Sequence, residues 1–529
     1  MGIDRSSGRG RGRRAVKAML VFSLAALVVV GVAAAAALRG GTNEAASATD
    51  TFVLANAVKV DTLDPAQNSV NESIWLTQNI YSRLVQPNAT GTALLPDLAT
   101  SWKITNKGKT YTFKLRSAKF SDGTPLTATD AAFSINRSKK LKGGWGFLLD
   151  AVKSVTAPDA HTVVIQLTRP HAPLLADLAM YAFAVVPAKA VEAQGDKFFD
   201  KPVGSGPFMV TSLKKDQEVD LAANPNWYGK KPKIKNVQVQ IVPNDNSRVL
   251  LLQSKKVDAI ENPPGNLIDQ IGKYPGLQSD LFPSTRVDFI QLDEHFAPYK
   301  DKNVRLALNY GIDRNAIVKL AYSGHATTGS SYMPYKMLYW NSSLKPYPYN
   351  LAKAKAYLAK SKYPHGFKTF LIEVANDVAG NSTAVVIKSE LAKLGISVDI
   401  RTYELLTAYA KEDGGHSQMG QRYWTNDIID PDEVTTFAVD PNGGANAFNT
   451  YWHNDTATAL VHKARAELNP VKRGAMYRQI QKIVYQESPF LVLDYSPYRY
   501  AQGTWVHGFH VNPLGAYNLS LLDLTVDNH

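Results

Sequence analysis

Hydrophobic and polar positions alternate in short segments along most of the chain, and strand-like and helical periodicities follow one another without an internal repeat. Alternation at period two predicts strands at 51–60, 160–168, 208–224 and 236–242. Apolar residues at helical spacing predict helices at 73–84, 351–360 and 456–487. This succession of strands and helices predicts a mixed α/β fold with several lobes.

Three segments predict larger local units. Residues 102–116 alternate on both sides of Asn106-Lys107-Gly108, which is typical of a β-hairpin. Residues 302–322 predict two short helices that meet at Asp313. Residues 368–402 predict a β-α-β unit in which Gly395 ends the helix.

The stretch FSDGTPLTATDAAFSINR, residues 120–137, begins as a turn and ends as an amphipathic helix. Gly123 suits a turn position with a positive φ. Either Thr127 or Thr129 can cap the helix that follows. Turn and cap roles account for the polar residues here, so the stretch is interpreted as scaffold and not as a ligand contact.

Length and charge narrow the class of protein. A chain of 529 residues exceeds a single core, which favours two or three lobes. The net charge is +13, but part of it lies in the first 48 residues, and no dense basic run with interleaved aromatic residues follows them. This pattern argues against binding of nucleic acid.

The N-terminus has the layout of an export signal. The basic stretch RGRGRRAVK at 9–17 precedes uncharged, mostly apolar residues 18–38, and Ala46-Ser47-Ala48 offers a small-residue cleavage site. Residues 18–38 are also long enough to span a bilayer, so removal and retention as a membrane anchor both stay open. In either case we expect residues 49–529 outside the cytoplasm, at the cell surface or in the periplasmic space.

Enzyme signatures are absent from the sequence. It contains no G-x-S-x-G, no H-E-x-x-H and no complete phosphate-binding loop. It also contains no cysteine, which excludes a disulfide, a thiolate metal site, a cysteine nucleophile and a lipid-modified cysteine. We therefore predict no catalytic site, no metal site and no cofactor.

Ordered motifs over residues 52–525 resemble those of the family 5 solute-binding proteins. The motifs are LPDLA at 95–99 with Trp102, TYTFKLR at 110–116, FSDGTPLTATD at 120–130, GSGPF at 204–208, NPNWY at 224–228, NVRLALNYGIDR at 303–314 and WTNDIIDP at 424–431. Proteins of this family are the extracytoplasmic peptide-binding components of ABC importers. The stretch Gly143-Gly144-Trp145-Gly146 matches no fixed family pattern.

The resemblance implies a two-lobed, periplasmic-binding-protein-like clamp of the class II type with an inserted subdomain. Lobe I would comprise 49–86, 204–296 and 500–529. The inserted subdomain would be 87–203, and lobe II would be 297–499. Strands near 204, 297–300 and 500 would join the lobes and permit closure on a ligand.

The resemblance also implies a function. The protein would act as a monomer that captures a peptide or peptide-like solute and delivers it to the permease of an ABC transporter. Members of the family also carry sugars, opines and nickel chelates, so a non-peptide solute stays open. Two other classes stay open as well, a sensor-type binding protein without a transporter and a secreted hydrolase.

Candidate ligand contacts follow from the resemblance and not from periodicity. Asp427 matches the position that pairs with a peptide α-amine, although it could instead cap a local turn before Pro431. The other contacts that the resemblance implies are Trp424, Thr425, Asn426, Asn68, Ser69 and Val70. Asp430 is interpreted as part of the Asp-Pro turn. A partner for the ligand carboxylate is not placed, and Arg401 and Arg422 are candidates only by proximity.

Overall fold

The computed structural model describes residues 48–529 except 69, 143, 416 and 444. The predicted export segment and the candidate contact Ser69 therefore lie outside the described residues. Within the described part of the chain, no helix has both the length and the apolar character needed to cross a bilayer.

Sheet I has seven strands, and Thr51–Asn56 is its central strand. Thr51–Asn56 pairs in parallel with a strand on each side, and antiparallel strands complete both edges. In spatial order its strands are Phe208–Lys214, Glu218–Ala223, Asn236–Ile241, Thr51–Asn56, Ala259–Glu261, Tyr498–Gly503 and Leu277–Phe282.

Sheet II has six strands and mixes parallel with antiparallel pairs. In spatial order its strands are Thr327–Thr328, Phe490–Tyr495, Val287–Leu292, Met419–Trp424, Lys368–Val374 and Ser397–Tyr403. The parallel pair Lys368–Val374 and Ser397–Tyr403 with helix Val378–Ala392 between them confirms the predicted β-α-β unit, and Gly395 has a φ of 76° just after that helix.

A third, antiparallel sheet, the insert sheet, has four strands. They are, in spatial order, Ala99–Thr105, Thr110–Leu115, Thr162–Leu167 and Val152–Asp159. The predicted hairpin is confirmed, because the first two strands pair across Asn106–Gly108, where all three residues have a positive φ. One hydrophobic core continues from sheet I into the insert sheet, whereas sheet II has separate cores on its two faces.

Short strands and helices complete the described residues. Two-residue and three-residue strands form small pairings at Ala48–Thr49, Thr525–Asp527 and Val506–His507, at Val85–Pro87 and Leu94–Pro96, and at Ala118–Lys119 and Pro125–Leu126. The α-helices are Asn71–Ile80, Ala128–Lys140, Leu174–Leu178, Ala188–Gln194, Asp245–Gln253, Ile268–Ile271, Ala297–Lys300, Lys302–Gly311, Arg314–Tyr322, Leu351–Ala359, Val378–Ala392, Leu405–Asp413, Asp432–Val439, Asp455–Ala466 and Pro470–Glu487.

The chain passes between sheets I and II at two short segments, 283–286 and 496–497. The Ser284 hydroxyl donates a hydrogen bond to the Ser496 carbonyl, which ties the two segments together. The first crossing segment, 283–286, comes before the predicted lobe boundary at 296/297. Strand Val287–Leu292 therefore lies in sheet II, whereas the sequence analysis places these residues in lobe I. All six residues of this strand are buried, and a pattern without alternation does not indicate which sheet a strand joins. The domain boundaries themselves stay a prediction.

The stretch 120–137 forms a turn followed by a capped helix. Gly123 has a φ of 87°, and Thr127 is the N-cap of helix Ala128–Lys140. The Asp130 carboxylate accepts hydrogen bonds from the Thr127 amide (2.9 Å), the Thr127 hydroxyl (2.8 Å) and the Ala188 amide (3.0 Å). Thr129 is exposed, so the structure selects Thr127 between the two predicted caps.

We predict that Asp130→Ala lowers the free energy of unfolding by about 2 kcal/mol, because three donors lose their acceptor. Thr129→Ala, on the exposed side of the same helical turn, should change it by less than about 0.5 kcal/mol. Urea titrations of the three proteins measure both values. Equal stabilities of the two variants would contradict this role of Asp130.

Candidate ligand-binding cleft

Two adjoining cavities lie between elements of sheet I and elements of sheet II. The Trp424 cavity has a volume of about 530 Å³ and is lined by Trp424, Asp427 and the loop before helix Asn71–Ile80. The Glu72 cavity has a volume of about 460 Å³ and is lined by Glu72, Glu261 and Tyr423. Residues that line both are Asn71, Leu405, Tyr409, Arg422 and Tyr423. The cavities therefore form two halves of one cleft, of a size that suits a small ligand.

Three element ends position the walls of this cleft. Strand Met419–Trp424 of sheet II leads directly into the segment 424–427. Helix Asn71–Ile80 presents its N-terminus from the sheet I side. Helix Leu405–Asp413 contributes to the shared wall, and its N-cap is Glu404, whose carboxylate accepts the Leu406 amide (3.1 Å).

Among the predicted ligand contacts, Asp427 has the most unusual electrostatic environment. Asp427 lines the Trp424 cavity, and among the described residues no Lys, Arg or His nitrogen lies within 4.0 Å of its carboxylate. Its amide donates to Glu433 Oε2 (2.9 Å), and Glu433 is fully buried. Burial raises the pKa of Asp427 to about 8, and burial followed by the Asp427 charge also raises the pKa of Glu433.

Trp424 and Thr425 also lie at the cavity, in different roles. The Trp424 ring packs on Phe437 with 4.3 Å between ring centroids and on Phe448 with 5.5 Å. The Thr425 hydroxyl donates to Asn71 Oδ1 (3.1 Å). Because Thr425 follows a strand of sheet II and Asn71 begins the helix on the sheet I side, this hydrogen bond spans the cleft.

Asn426 does not line either cavity. Its side chain is fully buried, donates to the carbonyls of Ile428 and Asp430, and accepts from the Val434 amide (3.0 Å). It therefore shapes the loop that carries Asp427 instead of facing a ligand. A sequence motif cannot separate these two neighbours, because both are short polar residues in one turn.

On the opposite wall, Asn68 and Val70 both line the Trp424 cavity and are buried. The Asn68 side chain hydrogen-bonds with Thr77 Oγ1 (3.0 Å), and its carbonyl accepts from the Tyr181 hydroxyl (3.2 Å). Its polar groups therefore serve the scaffold, and Asn68 contributes mainly shape to the cavity.

Asp430 has a second partner besides its turn. Its carboxylate accepts the Asp432 amide (2.9 Å) and forms a two-bond pair with the Arg473 guanidinium (2.6 and 2.7 Å). Nearby, potential metal ligands of His171, Asp177 and Asp432 lie within 4.8 Å of one another. Arg465 Nε lies 3.0 Å from Asp432 Oδ2, so a protein cation already neutralises this cluster, and it is best described as a buried ion-pair network.

The two arginine candidates for a ligand carboxylate are both engaged. Arg401 is exposed, pairs with Asp399 (2.9 Å), and lines neither cavity. Arg422 lines both cavities, but its guanidinium pairs with Glu412 and Asp413. Neither therefore offers a free cation.

Several wall residues escaped the sequence analysis. Trp145 lies in the stretch without a family pattern, and it lines the Trp424 cavity with its ring 5.4 Å from Phe437. Phe448 lies in a turn with positive φ at residues 446–449 and stacks on Phe289 at 4.6 Å. These contacts join segments far apart in the chain, and no local periodicity indicates them.

Comparison with known proteins identifies the class. The family model for bacterial extracellular solute-binding proteins, family 5, matches residues 93–446. The chain is 30% identical to the probable D,D-dipeptide-binding periplasmic protein DdpA of Escherichia coli, over 88% of this chain and 92% of that protein.

Solved structures agree with this result. The chain is similar to the ABC transporter-associated periplasmic binding protein DppA of Helicobacter pylori in complex with the peptide STSA, with a TM-score of 0.83, 28% identity, and coverage of 90% and 98%. It is also similar to the PBP AgaA of A. tumefaciens R10 in complex with agropinic acid, with a TM-score of 0.82, 26% identity, and coverage of 90% and 99%.

Fold and cleft together define a two-lobed α/β binding protein of the periplasmic type, which confirms the predicted fold class. The chain belongs to the bacterial extracellular solute-binding proteins, family 5. The proteins of this family bind solutes.

We predict that Asn426→Ala lowers the free energy of unfolding by about 3 kcal/mol, because buried backbone groups of Ile428, Asp430 and Val434 lose their partners. Asn442→Ala, at an exposed position nearby, should be near neutral. Thermal and urea unfolding of both variants test this. A neutral Asn426→Ala would contradict the scaffold role and return Asn426 to the set of ligand contacts.

Proposed function

We propose that the protein is the exported solute-binding component of an ABC importer and that it captures peptides by their free amino terminus. The observation that carries this proposal is that Asp427 lines the Trp424 cavity and that, among the described residues, no cation lies within pairing distance of its carboxylate. A buried carboxylate of this kind is stabilised by a cation, and a peptide ammonium supplies one.

The other walls fit the rest of a peptide. Trp424, Trp145 and Phe448 give an apolar surface for side chains. Thr425 and Asn71 hold the two sides of the cleft together by one hydrogen bond, so a ligand that contacts both sides favours the closed arrangement.

Relatives support a peptide ligand without restricting the class to peptides. The Helicobacter pylori DppA structure holds the peptide STSA, and DdpA is named for D,D-dipeptides. AgaA holds agropinic acid, so the same fold also accommodates an opine. An ionised Asp427 carboxylate would favour a ligand with a free ammonium group over a ligand without one.

The proposal includes the wider setting of the protein. It acts as a monomer outside the cytoplasm, released by cleavage near Ala48 or anchored by residues 18–38, and passes its ligand to the permease subunits. Its role is binding and delivery, without catalysis or a resident cofactor.

Asp427→Asn should weaken the binding of a peptide with a free amino terminus by about 3 kcal/mol, because the buried ammonium loses its counter-charge. This corresponds to roughly a hundredfold or greater increase in Kd. N-acetylation of the peptide should weaken its binding to the wild-type protein by a similar factor, and it should cause almost no further loss of affinity in the variant. Calorimetric titration of the four combinations at pH 8 measures this coupling.

Asp413→Asn is the matched control, since Asp413 lines the same cavity but already pairs with Arg422. It should leave the effect of acetylation unchanged. Equal losses for free and acetylated peptides in Asp427→Asn would reduce Asp427 to a turn residue and leave a neutral solute as the better candidate.

Affinity for the free-amine peptide should rise with pH from 6 to about 8. Asp427 has a pKa of about 8 in the free protein, so below that pH it must release a proton when an ammonium binds. The rise should approach tenfold per pH unit and end near pH 8, where the α-amine itself loses its charge. Titrations in buffers of different ionisation enthalpy measure the proton released at pH 6.5. An affinity that stays flat between pH 6 and 8 would contradict the buried state of Asp427.

A further inference from the structure

The Glu72 cavity contains a second pair of buried carboxylates that the proposed amine site does not use. Glu72 lies in the first turn of helix Asn71–Ile80, and Glu261 ends the strand Ala259–Glu261. Each is 5% exposed, and both line the cavity. Glu261 Oε2 accepts the Ala57 amide (3.3 Å), whereas Glu72 Oε2 has no hydrogen-bond partner in the protein.

The nearest buried arginine is not available to this pair. All of the hydrogen-bonding nitrogens of Arg248 are engaged: Nε donates to the Glu261 carbonyl, Nη1 to the carbonyls of residues 242 and 243, and Nη2 to Asp245 and the Asn262 carbonyl. Its hydrogen bonds are therefore committed to Asp245 and to backbone carbonyls, and its charge lowers the pKa of Glu72 and Glu261 less than burial raises it.

The arginines on the cavity wall are engaged as well. Arg286 forms a fork with Asp288 (2.7 and 3.0 Å) and lies over the Tyr423 ring at 3.8 Å. Arg499 donates to the Pro263 carbonyl (3.1 Å) and to the Asn262 side chain. Lys59 lines the cavity and is partly exposed, where water solvates its charge. No described arginine on this wall has a carboxylate of Glu72 or Glu261 as its partner.

Other unpaired atoms on the same wall include a further acceptor and a hydroxyl that can accept as well as donate. Gln421 Oε1 and the Tyr498 hydroxyl line the cavity and, like Glu72 Oε2, have no hydrogen-bond partner in the protein. The Trp75 indole Nε1 also has no hydrogen-bond partner in the protein, and it lies against Gly515. Ammonium and guanidinium groups only donate, so they complement the unpaired acceptors of Glu72 and Gln421.

The protonation of the pair is consistent with a missing cation. Burial, and then the neighbouring Glu261 charge, hold the pKa of Glu72 well above its usual range. Burial also raises the pKa of Glu261. Without a cation the pair retains a proton, which a bound cation would displace.

We propose that the Glu72 cavity binds a second cationic group of the ligand, an ammonium or a guanidinium, so that the preferred solutes are peptides or peptide-like molecules with a basic side chain. The inference rests on the proposed function, which places the α-amine at Asp427 in the adjoining cavity. The shared wall of the two cavities lets one extended ligand reach both sites.

Matched peptides test the inference directly. Ala-Arg-Ala and Ala-Ala-Arg are compared with the same peptides carrying citrulline, which keeps the shape of arginine but lacks its charge. At least one arginine peptide should bind wild type ten or more times more tightly than its citrulline partner. In Glu72→Gln this ratio should fall below about two.

Two controls keep the result interpretable. Asp216→Asn, at an exposed acid on the same cavity, should preserve the ratio of arginine to citrulline affinity. If Glu72→Gln fails to fold by its melting curve, Glu261→Gln replaces it, because the amide oxygen can still accept the Ala57 N–H. A ratio near one on wild type, or a ratio that Glu72→Gln and Glu261→Gln leave unchanged, overturns the inference.

N-acetylation separates this inference from the proposed function. If acetylation weakens binding but the arginine and citrulline peptides bind equally, the amine site stands and the second cationic site is wrong. If acetylation has no effect while arginine still exceeds citrulline, the amine site at Asp427 is wrong, and with it the two-charge ligand.

Discussion

The cost of burying a negative charge is the constraint on which this cleft depends. Arg422, Arg286 and Arg473 each pair with protein carboxylates, so the protein neutralises its own cations before any ligand arrives. The carboxylates of Asp427 and Glu72 are left without such partners among the described residues. Under the proposed function, a positively charged ligand would displace the protons that burial holds on these carboxyl groups, and it would thereby favour closure and selectivity.

Much of the fold could be predicted because its signals are local. Asp313 caps the helix Arg314–Tyr322 by accepting two of its amides, as its position between two helical patterns indicates. Asn106–Gly108 turn the insert hairpin, and Gly395 ends the helix of the β-α-β unit. Each of these depends on the conformational preferences of a few consecutive residues, which the sequence contains in full.

The cleft was predictable only in part, because its chemistry depends on contacts between distant segments. The motif at 424–427 located one wall, but it did not separate the buried Asn426 from the cavity-facing Asp427. The engagement of Arg422 by the helix at 405–413 and the approach of Glu72 to Glu261 arise from tertiary packing. Fold alone would not supply these details either, since relatives with the same architecture hold a peptide and an opine.

The hydrogen bond between Ser284 and Ser496 has a consequence for how the lobes move. The two segments that cross between the sheets are short and are fastened to each other where they cross. Two unconnected segments would allow the lobes to tilt and slide in several directions, whereas we expect two hydrogen-bonded segments to favour rotation about one axis. With fewer relative orientations in the open state, less configurational entropy is lost on closing, and more of the ligand's interaction energy is retained as affinity.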